Sequence, residues 1–302
     1  MNPVELPTTR ASGSSLQDRA RDLMAAFSDP RSKAVISLIG GHEQILLLPF
    51  LDSAVFKNNP KPFFGYSDNT NLCLYLWSLG IPCYYGGCVF TEYAMCGKLH
   101  PYTERYLRLA LFENEEVAIS PAEEFSDQDL SWAEPGNLRQ GYEFERNPGW
   151  VWDGCKSGEG ILWGGCLEIL GMQLQVSRWL PSPEAVRGTI LCLETSEVIP
   201  QPWYIFEVMV GLGERGYLSE LSGLLVGRPK ARALFGKQPP ADAREKYRSE
   251  QRRVILKEFR RYNPSAPVVM NMDFGHTKPQ IPLPFGKMAR INAVGREVRL
   301  TF

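Results

Sequence analysis

The segment Lys61-Pro62-Phe63-Phe64-Gly65-Tyr66-Ser67-Asp68-Asn69-Thr70 constrains this chain more than any other. Apolar, strand-forming residues run into Gly-Tyr-Ser-Asp, and a helical pattern comes directly after (Leu72, Leu76 and Leu79, with Cys73 and Trp77, ending at Gly80). A strand, a sharp turn carrying one hydroxyl and a helix N-terminus make the geometry of a nucleophile elbow. Such a turn lifts the serine oxygen clear of the backbone and aims the first helical N–H groups at a developing oxyanion. The plainer reading is an ordinary helix start, since Ser, Asp and Asn are all common N-cap residues.

Histidine is scarce, and that sharpens the choice. A serine hydroxyl needs a base to take its proton at neutral pH, and the chain offers only His42, His100 and His276. His100 lies in the polar stretch Gly97-Lys98-Leu99-His100-Pro101-Tyr102 and reads as a surface residue. His42 comes after Gly40-Gly41 and the apolar run Ala34–Ile39. His276 ends Val268-Val269-Met270-Asn271-Met272-Asp273-Phe274-Gly275, a buried-type strand running into a glycine turn. Both stand at strand ends and remain candidates. For a carboxylate to orient the imidazole, Glu194 comes first, delivered by Thr189-Ile190-Leu191-Cys192-Leu193 to the end of a central strand. Glu197 reads as a cap for the next helix, and Asp273 is the competing orienter.

Gly65-Tyr66-Ser67-Asp68-Asn69-Thr70, Trp163-Gly164-Gly165-Cys166-Leu167, Leu193-Glu194-Thr195-Ser196-Glu197 and Asp273-Phe274-Gly275-His276 together resemble the LD-carboxypeptidase family, in particular the branch containing the microcin C self-immunity peptidases. The resemblance runs from about Arg19 to Phe302, with four motifs in the same order. It implies a serine peptidase whose Ser-Glu-His triad falls on Ser67, Glu194 and His276. It also implies an oxyanion hole from the backbone amides of Asp68 and the Gly40-Gly41 turn, with Gly41 the donor. Where the family carries Gly-Gly-Asn-Leu this chain has Gly164-Gly165-Cys166-Leu167, so any role of that asparagine amide is lost. Family members ordinarily begin with a strand-helix-strand unit ahead of the segment that opens this chain.

The organisation expected is α/β. Residues 1–112 form a parallel-sheet domain of flavodoxin or Rossmann character, truncated relative to the family pattern, with a helix from about Ser15 and strands at Ala34–Ile39, Pro62–Tyr66 and Ile81–Tyr85. Three strands are few for a doubly wound sheet that must bury both faces. Residues 113–159 form an acidic, proline-bearing connector whose Trp132, Trp150 and Trp152 are candidates to cover the site and stack on a flat ligand group. Packing over the second domain's edge is their plainer fate. Residues 160–302 form a mixed α/β domain carrying Glu194 and His276, with strands at Ile190–Leu193, Leu224–Val226, Val268–Met270, Ala289–Asn292 and Val298–Thr301. Helices are expected at about Trp203–Arg215 and Asp242–Tyr262, and the resemblance suggests a sheet curled toward a barrel. The site then forms between the two domains.

Composition bounds the partners. A formal net charge of −1 and scattered basic residues argue against a nucleic-acid footprint. The basic cluster Arg244–Arg261, interleaved with Glu245, Glu250 and Glu258, reads as a solvated helix face. No apolar run reaches the length of a membrane span. Seven cysteines without CxxC spacing suit a reduced, cytoplasmic setting, with Cys73, Cys166 and Cys192 as small core residues and no metal site. Neither metal nor organic cofactor is expected, and a homodimer is compatible with the resemblance. The resemblance to the microcin-immunity branch implies hydrolysis of an amide joining an aminoacyl group to a nucleotide-like moiety. Cleavage of an L,D-peptide bond in murein tetrapeptide is the alternative. A non-catalytic ligand-binding protein, its oxyanion hole spoiled by the short sheet, is the alternative of another class.

Overall fold

Ser15 accepts a hydrogen bond from the Asp18 amide and so starts α1 (Leu16–Ser28). The chain then alternates through β1 (Val35–Ile36), α2 (Ser53–Asn58), β2 (Phe63–Gly65), α3 (Thr70–Ser78), β3 (Cys83–Tyr85) and α4 (Pro101–Phe112). His100, expected in a surface loop, instead caps α4, its Nδ1 accepting from the Tyr102 amide at 3.2 Å. The computed structural model describes residues 2–94, 98–131, 133–234 and 237–302.

Short strands come next: β4 (Glu116–Ile119), the paired β5 (Glu124–Phe125) and β6 (Glu145–Arg146), and β7 (Val151–Asp153). The remainder comprises β8 (Ser157–Cys166), α5 (Leu167–Val176), β9 (Ile190–Glu194), α6 (Pro202–Glu214), β10 (Gly223–Gly227), α7 (Ala241–Tyr262), β11 (Val268–Met272), β12 (Leu283–Phe285), β13 (Met288–Asn292) and β14 (Glu297–Thr301).

β1, β2 and β3 pair in parallel as expected. The sheet is nevertheless four-stranded, because β12 returns from the C-terminal half and lies antiparallel on β3. Phe285 stacks on Tyr85 with ring centroids 5.1 Å apart, so apolar area that three strands would leave open is covered. The larger sheet has eight strands in the order β4-β14-β13-β8-β9-β10-β11-β7. β8 holds it together: its first half pairs antiparallel with β13 and its second half parallel with β9. The order has two free ends, so the sheet stays open. Both ends, β4 and β7, come from the segment expected to be a connector, which here completes the sheet at either edge.

The parallel strands β9, β10 and β11 are buried on both faces, and their period of two divides them between two cores. Leu191, Leu193, Leu224, Val226, Val268 and Met270 face α5, α6 and α7. Ile190, Cys192, Leu225 and Val269 pack with the N-terminal domain, and Met272 joins them past the left-handed Asn271, where the alternation breaks. Glu194 continues the second set, so alternation turns its carboxylate toward the domain that carries Ser67. The basic helix α7 departs from expectation. Arg244 and Arg248 are buried, because Glu145 and Asp127 of the preceding segment reach over them and pair with them, Arg248 to Asp127 at 2.6 Å.

Candidate active site

Ser67 sits where β2 ends and α3 begins, and its φ of 63° is left-handed, a conformation that costs a non-glycine residue energy and recurs at functional turns. What holds it there is a polar lashing. Asp68, buried, accepts from the Gln44 amide at 2.9 Å and from Asn71 Nδ2 at 2.9 Å. Asn69 donates to Tyr66 O and Ile39 O while accepting from Gln44 Nε2 at 2.7 Å. These bonds tie residues 37–44 to the elbow. The backbone of Gly40 passes so close that a Cβ there would lie 2.9 Å from Ser67 Cβ. The Gly40-Gly41 turn thus stands beside the serine, as an oxyanion-hole partner must. His42, on the same turn, is exposed, and burial pushes the Asp68 carboxyl above its usual range against the hydrogen bonds it accepts.

Glu194 is fully buried, and its charge is met on both oxygens. Oε1 accepts from the Tyr85 hydroxyl at 2.6 Å, and Oε2 lies 2.7 Å from His276 Nδ1. Gly275, at φ 89°, makes room for this pair, since a Cβ there would sit 2.5 Å from Glu194 Oε2. Asp273 is not the orienter. It accepts from Arg228, Asn147, Trp150 Nε1 and the Ala122 amide, and so anchors the segment before β7 to the end of β11. Tyr85 also accepts from the Ser67 amide at 3.1 Å, so one hydroxyl bridges the elbow and the buried acid. The Tyr66 ring packs edge-on against His276 at 5.1 Å. Ser67, Glu194 and His276, from three places in sequence, therefore lie near the carboxyl ends of strands in both sheets, with Tyr85 linking the serine turn to the Glu194–His276 pair.

The second imidazole nitrogen faces an acid too: His276 Nε2 lies 3.0 Å from Glu197 Oε2. The sequence pattern makes Glu197 a helix cap, yet α6 begins only at Pro202 after an N-cap Gln201 without a side-chain cap bond. Burial works to lower the imidazole's affinity for a proton, but the Glu194 charge and the bonds to Glu194 and Glu197 outweigh it and raise its pKa to about 10. The bond from His276, opposed by partial burial, holds Glu197 down at about 2. Nearby, Glu92 is buried in the wide turn Val89–Tyr93, and burial pushes it up to about 7. It lines a cavity of about 330 Å³ with Thr91, His100, Tyr142, Phe144 and Lys278.

Of the tryptophan candidates, Trp150 spends its N–H on Asp273 at 2.8 Å, and Trp152 pairs into the sheet beside it on β7. Both pack against the core, and Trp132 lies outside the described residues. Cys166, in the place of the family's asparagine, is buried, its amide donating to Thr70 Oγ1 at 3.0 Å and its thiol to Glu168 at 3.2 Å. Sequence reasoning misses Tyr85 and Glu92 altogether, and it misses the contact that Glu197 makes. A tyrosine in an aromatic strand and acids in polar loops carry no spacing that marks them. Among the described residues no three His, Cys, Asp or Glu side chains group so as to hold a metal ion.

An elbow serine near a buried carboxylate–imidazole pair is an arrangement that serine hydrolases use. Family models place the chain among these enzymes: the LD-carboxypeptidase N-terminal domain matches residues 3–86 and the C-terminal domain residues 159–291. The chain belongs to the LD-carboxypeptidase family and is a serine-type carboxypeptidase hydrolase. It is 30% identical to the carboxypeptidase homologue YocD of Bacillus subtilis, covering 95% of this chain and 81% of the relative. It is 25% identical to the microcin C7 self-immunity protein MccF of Escherichia coli, covering 95% and 78%. A solved MccF-like protein from Streptococcus pneumoniae in complex with AMP superposes with a TM-score of 0.81 at 25% identity, over 95% of this chain and 83% of that one. MccF in complex with aspartyl sulfamoyl adenosine superposes with a TM-score of 0.80 at 23% identity, over 96% and 82%.

Proposed function

We propose that Ser67 is the nucleophile, His276 its general base and Glu194 the carboxylate that orients the imidazole and stabilises its protonated form once it has taken the proton. The observation that carries this is the buried Glu194–His276 pair at 2.7 Å, joined through Tyr85 to the strained Ser67 turn. In this reading His276 takes the Ser67 proton as Oγ attacks an amide carbonyl, and Glu194 stabilises the imidazolium. The N–H groups of Asp68 and Gly41 receive the oxyanion, and the protonated imidazole then gives its proton to the leaving amine. An acyl-enzyme remains, which water hydrolyses with His276 again as base.

The substrate proposed is an aminoacyl-nucleotide conjugate. Relatives in complex with AMP and with an aminoacyl sulfamoyl adenosine support this choice. A murein tetrapeptide is the second reading, favoured by the family's LD-carboxypeptidase domains. Turnover of an aminoacyl-nucleotide against murein tetrapeptide, at equal concentration, decides between them. Faster release from the nucleotide conjugate is expected, and faster cleavage of the tetrapeptide overturns the choice.

A further inference from the structure

For proton transfer His276 must turn Nε2 to the Ser67 hydroxyl, yet in this structure that nitrogen meets the Glu197 carboxylate. Glu197 stands on the loop after β9, its side chain 38% exposed. The loop is pinned on both sides. Ser196 donates from its amide and its hydroxyl to Glu168 Oε1, at 3.0 and 2.7 Å. On the far side the Pro200 carbonyl accepts from the Tyr247 hydroxyl and from Gln251 Nε2, both at 3.0 Å. With the backbone fixed on either side, the Glu197 side chain is the movable part.

We propose that Glu197 is a positioning residue that acts as a latch: its carboxylate holds His276 Nε2 away from Ser67 until a cationic group of the substrate, the α-ammonium of an aminoacyl moiety, draws it off. This rests on the assignment of Ser67 and His276 proposed above.

The surrounding charges give the latch its strength. His276 is faced by Glu194 from β9, Glu197 from the loop, Tyr66 from the end of β2 and the Glu92 charge from the turn at 89–93. Glu197 is faced by His276 and by the charge of Lys230 beyond β10, but Lys230 is itself engaged with Asp129 at 2.8 Å and the Asp127 carbonyl at 2.6 Å. An imidazole clamped between two carboxylates keeps its proton at neutral pH and cannot accept one from serine. A substrate ammonium gives Glu197 a new partner, and the clamp loses one of its two anions. The Nε2 proton then passes to solvent, leaving a neutral nitrogen for the serine hydroxyl.

The test uses the full chain and Glu197→Gln, which keeps the shape and removes the charge. NMR titration of the His276 ring is expected to show its pKa lowered by about one unit or more, a tenfold change in proton affinity. Labelling of Ser67 by a fluorophosphonate, a neutral probe without an ammonium, is expected to be about tenfold faster at pH 7 in Glu197→Gln than in wild type. Wild type is expected to hydrolyse a free-amine aminoacyl sulfamoyl adenosine about tenfold better in kcat/KM than its N-acetyl form, and Glu197→Gln to lose that preference. Identical ring titration and identical labelling profiles in the two proteins overturn the latch alone. Failure of both proteins to label at any pH overturns the serine assignment and the latch with it.

Discussion

Tyr85→Phe removes one oxygen from the middle of the site and leaves the packing in place. The ring stays stacked on Phe285 and edge-on to Tyr66. Two hydrogen bonds are lost: the one donated to Glu194 at 2.6 Å and the one accepted from the Ser67 amide at 3.1 Å. A bond to a buried carboxylate contributes about 1.5–3 kcal/mol and a neutral one about 1 kcal/mol, so the variant is expected to lose about 3 kcal/mol of stability. For a chain of this size that lowers Tm by on the order of 5–10 °C. A double-mutant cycle with Glu194→Gln, read by denaturant unfolding, isolates the charged bond, and its coupling energy is expected to be about 2 kcal/mol. Fluorophosphonate labelling of Ser67 is expected to slow along with the loss of stability, since both the elbow and the acid lose a tether. A coupling energy below about 0.5 kcal/mol refutes the bridge as described, because the hydroxyl would then not join the two groups.

Gly275→Ala puts a methyl group 2.5 Å from Glu194 Oε2 at φ 89°. It is expected to lose more than about tenfold in kcat as the acid is displaced, with about 1–3 kcal/mol of backbone strain added, read by turnover and unfolding. The Glu197–His276 pair makes stability depend on pH in two directions. Glu197 falls from its ordinary 4.5 to about 2, so its contribution is present above 4.5 and lost as pH falls through 2. His276 rises from 6.5 to about 10, so its contribution is present below 6.5 and lost as pH rises through 10. The stability gap between wild type and Glu197→Gln should therefore be widest between 4.5 and 6.5 and close toward 2 and 10, in denaturant melts across that range. Trp150→Phe is expected to destabilise by about 1–3 kcal/mol without changing KM, having lost only a bond to buried Asp273. Trp132→Ala is expected to raise KM for an aminoacyl-nucleotide about tenfold, consistent with a base-stacking role.

The placement of the candidate residues was legible because they hang on buried strands. Phe63–Gly65, Ile190–Leu193 and Val268–Met272 are apolar runs short enough to read as strands, and Ser67, Glu194 and His276 stand at or just past their ends. Burial on both faces makes such runs continuous, and the residues just beyond them reach the same edge. β12 was not legible. Ile281-Pro282-Leu283-Pro284-Phe285 carries prolines that argue against a strand, and only its place on the outer edge of the small sheet tolerates them. The charged helix α7 misleads for a related reason. Its arginines look solvated until Asp127 and Glu145, about a hundred residues earlier, fold over them. Trp150 looks like a free stacking face because nothing in its neighbourhood shows that Asp273 takes its N–H. Long-range polar pairing leaves no period in the sequence, and that is where most of the unforeseen structure lies.

The central claim is that Ser67 forms the covalent bond to substrate and His276 takes its proton. The most direct measurement is mass spectrometry of wild type, Ser67→Ala and His276→Ala after exposure to a fluorophosphonate, with peptide mapping of any adduct. One adduct on the peptide bearing Ser67 is expected in wild type, none in Ser67→Ala, and labelling slower by more than about a hundredfold in His276→Ala. An adduct on another residue, or labelling that survives in Ser67→Ala, would contradict the account.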